Sequence, residues 1–203
     1  MMRVAVLASG SGSNFQALVD ALNVAGSPAR VELLICNVPG AKVISRAQTA
    51  GVEAVVIDHR TAGPREAYDA RLVAELQQRN IELVCLAGYM RLVTPTFLRA
   101  FPGRVVNLHP ALLPSFPGLH GVKQAIDAGV AVAGCTVHFV DEGTDTGPII
   151  AQAAVPVLPG DDESALAARI HAEEHRLYPA VVKAIATGRV RLEGRRVHRT
   201  EAL

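Results

Sequence analysis

Tryptophan is absent from the 203 residues, and tyrosine and phenylalanine bring the aromatic content to only 4%. So little π surface weakens any reading as a base-stacking platform. A surplus of either charge is missing too: the formal net charge is +1. Binding to a phosphate backbone needs a clear excess of Lys and Arg, so nucleic acid is not expected as the partner. Cysteine is scarce, and Cys36, Cys85 and Cys135 form no CxxC pair. An odd number of thiols in apolar segments points to reduced, buried side chains and a cytoplasmic location. No apolar run approaches the roughly 20 residues that span a bilayer, so no membrane is expected. The opening MMRVAVLASG leads straight into a glycine loop and reads as a first strand rather than a signal peptide. What the chain does have is apolar content, at 50%, which excludes disorder and suits one domain over residues 1–203.

Short β-branched runs alternate with longer segments of helical period. Strands are expected at 3–8, 31–37, 54–58 and 81–87, with helices at 14–25, 42–50 and 64–79 between them. Tyr68, Leu72 and Leu76 recur every fourth residue, which gives the third helix a buried stripe. LVCLA at 83–87 is apolar on both faces, as in the middle of a parallel sheet. This alternation implies an α/β domain with right-handed crossovers. Beyond about residue 103 the pattern changes. A strand at 104–108 precedes a proline-rich loop from Pro110 to Gly118, a short helix at about 122–128, and strands near 132–140 and 149–157. A long helix begins at Asp161–Glu163, where negative charge favours a helix N-terminus, and runs to Gly188 with Pro179 interrupting or restarting it. The last residues, 188–203, read as a basic hairpin about Glu193–Gly194 that faces solvent.

Three places carry candidate chemistry. The first is the loop ASGSGSN at 8–14, between the first strand and the first helix, where backbone N–H groups and a helix N-terminus suit a phosphate. It fails the dinucleotide fingerprint, because Phe15 stands in place of the third glycine, and it lacks a Walker lysine. A monophosphate site and a tight turn capped by Ser13 or Asn14 both fit. The second is Asn107-Leu108-His109, which sets an amide and an imidazole on one face at a strand's C-terminal end, where ligand crevices lie in open α/β sheets. The stiff loop after it, held by Pro110, Pro114 and Pro117, strengthens a functional reading, and Leu113–Pro114 is a plausible cis bond. The third is GCTVHFVDEGTDTGPI at 134–149. Here His138 is either a ligand or a satisfied strand histidine, and Asp145 either a site acid or an ordinary turn residue. No HxH or HxxxH spacing supports a metal. In the long helix Leu166, Ile170, Glu174, Leu177 and Val181 keep the period of a buried stripe, so Glu174 should face inward, which is costly for an unpartnered carboxylate.

Taken together, GSGSN, NLHPALLPSFPG and GCTVHFVDEGTDTG, with PREAYD at 64–69 and AGYMRLV at 87–93, make the chain resemble the phosphoribosylglycinamide formyltransferases of the folate-dependent formyltransferase family. The resemblance runs from residue 3 to about 187. It implies a Rossmann-like, doubly wound α/β fold, with a mostly parallel twisted sheet and helices on both faces. Residues 1–100 would form the phosphate- and ribonucleotide-binding half, and 101–187 the catalytic and folate-binding half. The implied activity moves the formyl group of 10-formyltetrahydrofolate, a cosubstrate, to the primary amine of N1-(5-phospho-D-ribosyl)glycinamide in purine biosynthesis, without a metal. The implied catalytic residues are Asn107, His109 as proton donor, and Asp145 supporting its protonation. Gly12, Ser13 and Asn14 would hold the substrate phosphate, and Glu174 would bind the ribonucleotide. Folate contacts would come from Arg65, from Met90, Arg91, Leu92 and Val93, from Asn107, and from Asp141, Glu142, Gly143, Thr144 and Asp145. Partners are expected to be small molecules only, with monomer and homodimer both open. A transfer-RNA formyltransferase is expected to add a basic domain and a formyltetrahydrofolate hydrolase an amino-terminal one, and 203 residues leave room for neither. A sugar-nucleotide formyltransferase fits GSGSN less well, and a nucleotide sensor without catalysis is the reading from another class.

Overall fold

Strands and helices alternate as the hydrophobic pattern requires, and they assemble into two compact units, Met1–Val106 and Asn107–Leu203. The computed structural model describes residues 1–201 and 203. In the first unit β1 (Met2–Ala8), β2 (Ala29–Cys36), β3 (Glu53–Val56) and β4 (Leu83–Leu86) lie in the order β3-β2-β1-β4. Every pairing among them is parallel. Val6 in β1 stands between Leu34 of β2 and Cys85 of β4, all three fully buried, which is why these strands read as continuous apolar runs. The connecting helices are α1 (Ser13–Leu22), α2 (Lys42–Thr49) and α3 (Arg65–Gln78). The stripe Tyr68, Leu72, Leu76 is buried on α3, and Phe15, Leu18, Val19 and Leu22 are buried on α1.

The chain builds outward from β1 to β3 and then returns to β4 on the other side of β1. That reversal is a topological switch point, and the crevice it opens lies beyond the carboxyl ends of β1 and β4. The glycine loop follows β1 there, and the 87–93 segment follows β4. A helix that the periodicity did not indicate, α4 (Pro95–Ala100), closes this unit. Its signals were local: Thr94 caps it by accepting from the Phe97 N–H, and Pro95 opens its first turn.

The second unit contains β6 (Val132–Phe139) and β7 (Ile149–Pro156), paired antiparallel, with β6 also beside β5 (Val105–His109). The short α5 (Gly121–Asp127) follows the proline loop, and α6 (Glu163–Ala186) packs on β6 and β7. Asp162 caps α6, its carboxylate accepting from the Ala165 N–H at 2.8 Å. Pro179 neither interrupts nor restarts α6, contrary to expectation. Its missing N–H removes one helical bond, but it is buried among Leu177, Tyr178, Val181 and Val182, and that packing carries the helix through. The C-terminal residues form the hairpin β8 (Val190–Glu193) and β9 (Arg196–Arg199), turning at Gly194–Arg195. The architecture is the expected α/β class with mostly parallel strands.

Candidate active site

The carboxyl end of β5 and the loop after β6 bring four polar side chains of the second unit together. Asn107 and His109 lie two apart on β5, with the buried Leu108 between them. Asp145 enters from the loop between β6 and β7. Asn107 Nδ2 donates to Asp145 Oδ1 at 3.3 Å, and His109 Nδ1 stands 3.4 Å from Asp145 Oδ2. His138, left with two readings by the sequence, is the fourth member: its Nε2 lies 3.2 Å from Asn107 Nδ2 and 3.5 Å from Asp145 Oδ1. The backbone completes the frame, with the Gly118 N–H donating to Asp145 Oδ2 at 2.8 Å.

These contacts assign protons. His138 Nδ1 faces the Phe139 carbonyl at 2.8 Å and so carries hydrogen, while its Nε2 stands between Asn107 Nδ2 and Asp145 Oδ1. His109 Nε2 faces the Phe116 carbonyl at 2.8 Å, and its Nδ1 faces the carboxylate. A carbonyl only accepts, so Nε2 carries hydrogen. Burial pushes the Asp145 carboxyl up, but the His138 ring, the Gly118 N–H and His109 together hold it below the usual carboxylate range. Asp145 therefore stays an anion beside two imidazoles.

Local structure holds this geometry. Asp145 is left-handed, at φ 55°, a conformation a short polar side chain tolerates. The loop before it is pinned by Asp141, whose Oδ1 accepts from the Gly143 N–H at 3.1 Å and from Thr146 Oγ1 at 2.7 Å. Gly147 is required by packing, since a Cβ there would strike the Phe139 carbonyl oxygen. The proline loop contains a cis Leu113–Pro114 bond. Thr136, fully buried on β6, donates to the Ala111 carbonyl and accepts from the Leu113 N–H, and Gln152 Nε2 donates to the Leu113 carbonyl. A cavity of about 260 Å³ lies against this loop, lined by Leu113, Pro114, Pro117, Thr144, Asp145 and Thr146 among others. Of the other loop positions expected to meet folate, Glu142, Gly143 and Thr144 are exposed.

Glu174 faces inward, as its spacing required, and is 2% exposed. Its Oε2 accepts from His171 Nδ1 at 2.8 Å. That bond raises the His171 pKa, with burial opposing. The cysteines are poor nucleophiles: burial, followed by the charge of Glu174, pushes Cys135 up to about 12, and burial raises Cys36.

The remaining expected site residues belong to the first unit. Gly12, at φ 75°, is the N-cap of α1, so the cap position falls to neither Ser13 nor Asn14, which lie in the helix's first turn. The loop is held instead by the Val43 N–H donating to the Gly10 carbonyl and by Arg46 Nε donating to the Ser11 carbonyl at 2.9 Å. Arg46 is a cation at the glycine loop that sequence reasoning missed, because nothing local in α2 marks it. Ser9 links the ends of three strands: its hydroxyl donates to Asn37 Oδ1 at 2.6 Å and accepts from the Met90 N–H at 2.9 Å. Arg65 Nη2 donates to the Leu92 carbonyl, and the Arg91 guanidinium lies 4.7 Å above the Tyr68 ring. The apolar side chains of Met90 and Leu92 beside them are exposed, while Val93 is buried.

A strand-end amide and imidazole facing a loop carboxylate, in an α/β fold with this glycine loop, define a class, and the chain belongs to the formyl transferase family, whose model matches residues 2–182. A phosphoribosylglycinamide formyltransferase from Bacillus subtilis is 45% identical over 90% of this chain and 94% of its own length. The trifunctional purine biosynthetic protein adenosine-3 of Drosophila melanogaster is 52% identical over 92% of this chain, which spans only 14% of that longer protein. The crystal structure of glycinamide ribonucleotide transformylase 1 from Symbiobacterium toebii matches with a TM-score of 0.96 at 51% identity, covering 99% of this chain and 95% of that one.

Proposed function

We propose that this protein transfers the formyl group of 10-formyltetrahydrofolate to the primary amine of N1-(5-phospho-D-ribosyl)glycinamide, the formylation step that its relatives' names place in purine biosynthesis. The observation that carries the reading is the meeting of Asn107, His109 and Asp145, three side chains from two separate stretches of backbone, around one position. The amine attacks the formyl carbon and negative charge develops on the formyl oxygen. The Asn107 amide and a protonated His109 are donors suited to that oxygen. In the resulting tetrahedral intermediate the amine loses a proton, the bond from the formyl carbon to the folate nitrogen breaks, and that nitrogen takes up a proton. Asp145, an anion beside His109, supports the imidazolium and the proton transfer. The activated formyl group requires no covalent enzyme intermediate and no metal. His109 Nε2 is engaged by the Phe116 carbonyl here, so substrate has to displace that contact before the ring can donate to it.

Within this reading, residues 1–100 hold the ribonucleotide phosphate and supply some of the folate contacts, and 101–187 carry the chemistry and the other folate contacts. The N-terminus of α1, with Gly12, Ser13 and Asn14, receives the phosphate: its N-cap is a glycine, which leaves room for a ligand, and no acidic residue lies in the first turn to repel it. Glu174 binds the ribonucleotide. Arg65, the exposed apolar Met90 and Leu92 with their neighbours Arg91 and Val93, and the 141–145 loop hold the folate. The substrates are small and the compartment is the cytoplasm. The test follows absorbance of the formyl donor with and without the glycinamide ribonucleotide. Donor loss only when the ribonucleotide is present supports transfer; loss without it indicates a hydrolase, and no loss in either case overturns the reading.

A further inference from the structure

The basic C-terminal segment, expected to lie free in solvent, instead reaches back to the candidate site. We propose that Arg195 is a positioning residue, whose guanidinium fork fixes the 141–146 loop in the conformation that presents Asp145. The hairpin places Arg195 at its tip, because Glu193 pairs with Arg196 and only Gly194 and Arg195 form the turn. From there Nη1 donates to Asp141 Oδ2 at 2.9 Å and Nη2 donates to the Thr146 carbonyl at 2.9 Å. One planar group thus ties together the two ends of a six-residue loop. Arg199 anchors the other strand of the hairpin, its Nη1 donating to the Ile150 carbonyl of β7 at 3.0 Å. Asp141 is shared by both layers of the arrangement, since its other oxygen accepts from within the loop, from Gly143 and Thr146.

The Arg195 side chain is 71% exposed, and a single exposed ion pair contributes little to global stability. Its effect is local. Loop opening requires far less free energy than global unfolding, so a two-point tie of modest strength shifts it measurably. A planar fork meets two acceptors at fixed separation, which a lysine ammonium on a flexible stem does not. A loop already ordered also costs a ligand less to bind. This last consequence rests on the reading that the 141–145 loop meets the formyl folate.

The experiment compares the parent with Arg195→Ala, Arg195→Lys and the neighbouring control Arg196→Ala, by hydrogen exchange and by steady-state kinetics on the full chain. In Arg195→Ala, amides of 142–147 are expected to exchange about tenfold faster, with those of β5 unchanged. KM for the formyl donor should rise about fivefold, KM for the ribonucleotide should stay level, and kcat should fall by no more than about twofold, because Asn107 and the Gly118 N–H still hold Asp145. Arg195→Lys should resemble Arg195→Ala, and Arg196→Ala the parent. Unchanged loop exchange in Arg195→Ala overturns the proposal. So does full rescue by lysine, or a uniform rise in both KM values with a matching fall in Tm, which would mark a merely structural role. A parent that transfers no formyl group defeats the functional reading, yet the exchange measurement still decides the role of Arg195.

Discussion

Individual side chains here are controlled by the partners they acquire. Replacing His109 with alanine removes a donor from the cluster, and replacing Asp145 with asparagine removes its negative charge, while the apolar core stays intact. Turnover is expected to fall by about a hundredfold or more in each variant, the usual scale for losing a general acid or an oxyanion donor. Tm should move far less, and purified variants with near-parental kcat would remove these residues from the chemistry. A second prediction concerns His171, whose pKa is raised by its bond to the buried Glu174 carboxylate. A raised value in the folded state means that the proton is held more tightly there than in the unfolded chain. The resulting stabilisation is therefore fully present below about pH 6.5, the unperturbed histidine value, and is lost as pH climbs through the folded one. The Tm difference between the parent and His171→Gln should accordingly shrink from pH 5.5 to pH 8.5. A difference independent of pH would show that the pair does not titrate as described.

Elements were legible wherever one periodicity dominated. The stripe of α3 and the inward position of Glu174 on α6 follow from residues three and four apart, since spacing alone sets which side chains share a face. The course of α6 past Pro179 was not legible, because a missing backbone donor argues for a break and only the burial of its neighbours outweighs that. The β1–α1 turn shows the same division. Its glycines announce a tight loop, whereas the need for glycine at residue 12 comes from α2. A Cβ on Gly12 would lie 2.5 Å from Val43 Cγ2, and the φ of 75° is one that residues other than glycine rarely adopt. Gly12→Ala is expected to cost about 1–2 kcal/mol from backbone conformation alone, and to weaken the binding of inorganic phosphate or the ribonucleotide. Calorimetric titration checks this, and unchanged affinity together with unchanged Tm would place the loop differently.

For the molecule as a whole, binding and stability are linked. The glycinamide ribonucleotide at a hundred times its Kd should add about 2.7 kcal/mol to the folded state, and so raise Tm by roughly 5–10 °C for a chain of this size. A thermal scan with ribonucleotide, and with free ribose 5-phosphate for comparison, measures it. No shift with either would contradict a phosphate site at α1.

By itself the sequence determined the α/β class, the order of the strands and of every helix except α4, the inward carboxylate of Glu174 and the residue types of the candidate site. These depend on local spacing and on which side chains can be buried, both of which are written along the chain. Only the tertiary structure decided that His138 joins Asn107, His109 and Asp145, that Arg46 meets the glycine loop, and that the hairpin's Arg195 clasps Asp141 and Thr146. The hydrogen bonds of Asn107 to His138, of Arg46 to Ser11 and of Arg195 to Asp141 and Thr146 join residues 31 to 54 positions apart, and no local periodicity reports a distance that depends on how strands pair and loops close.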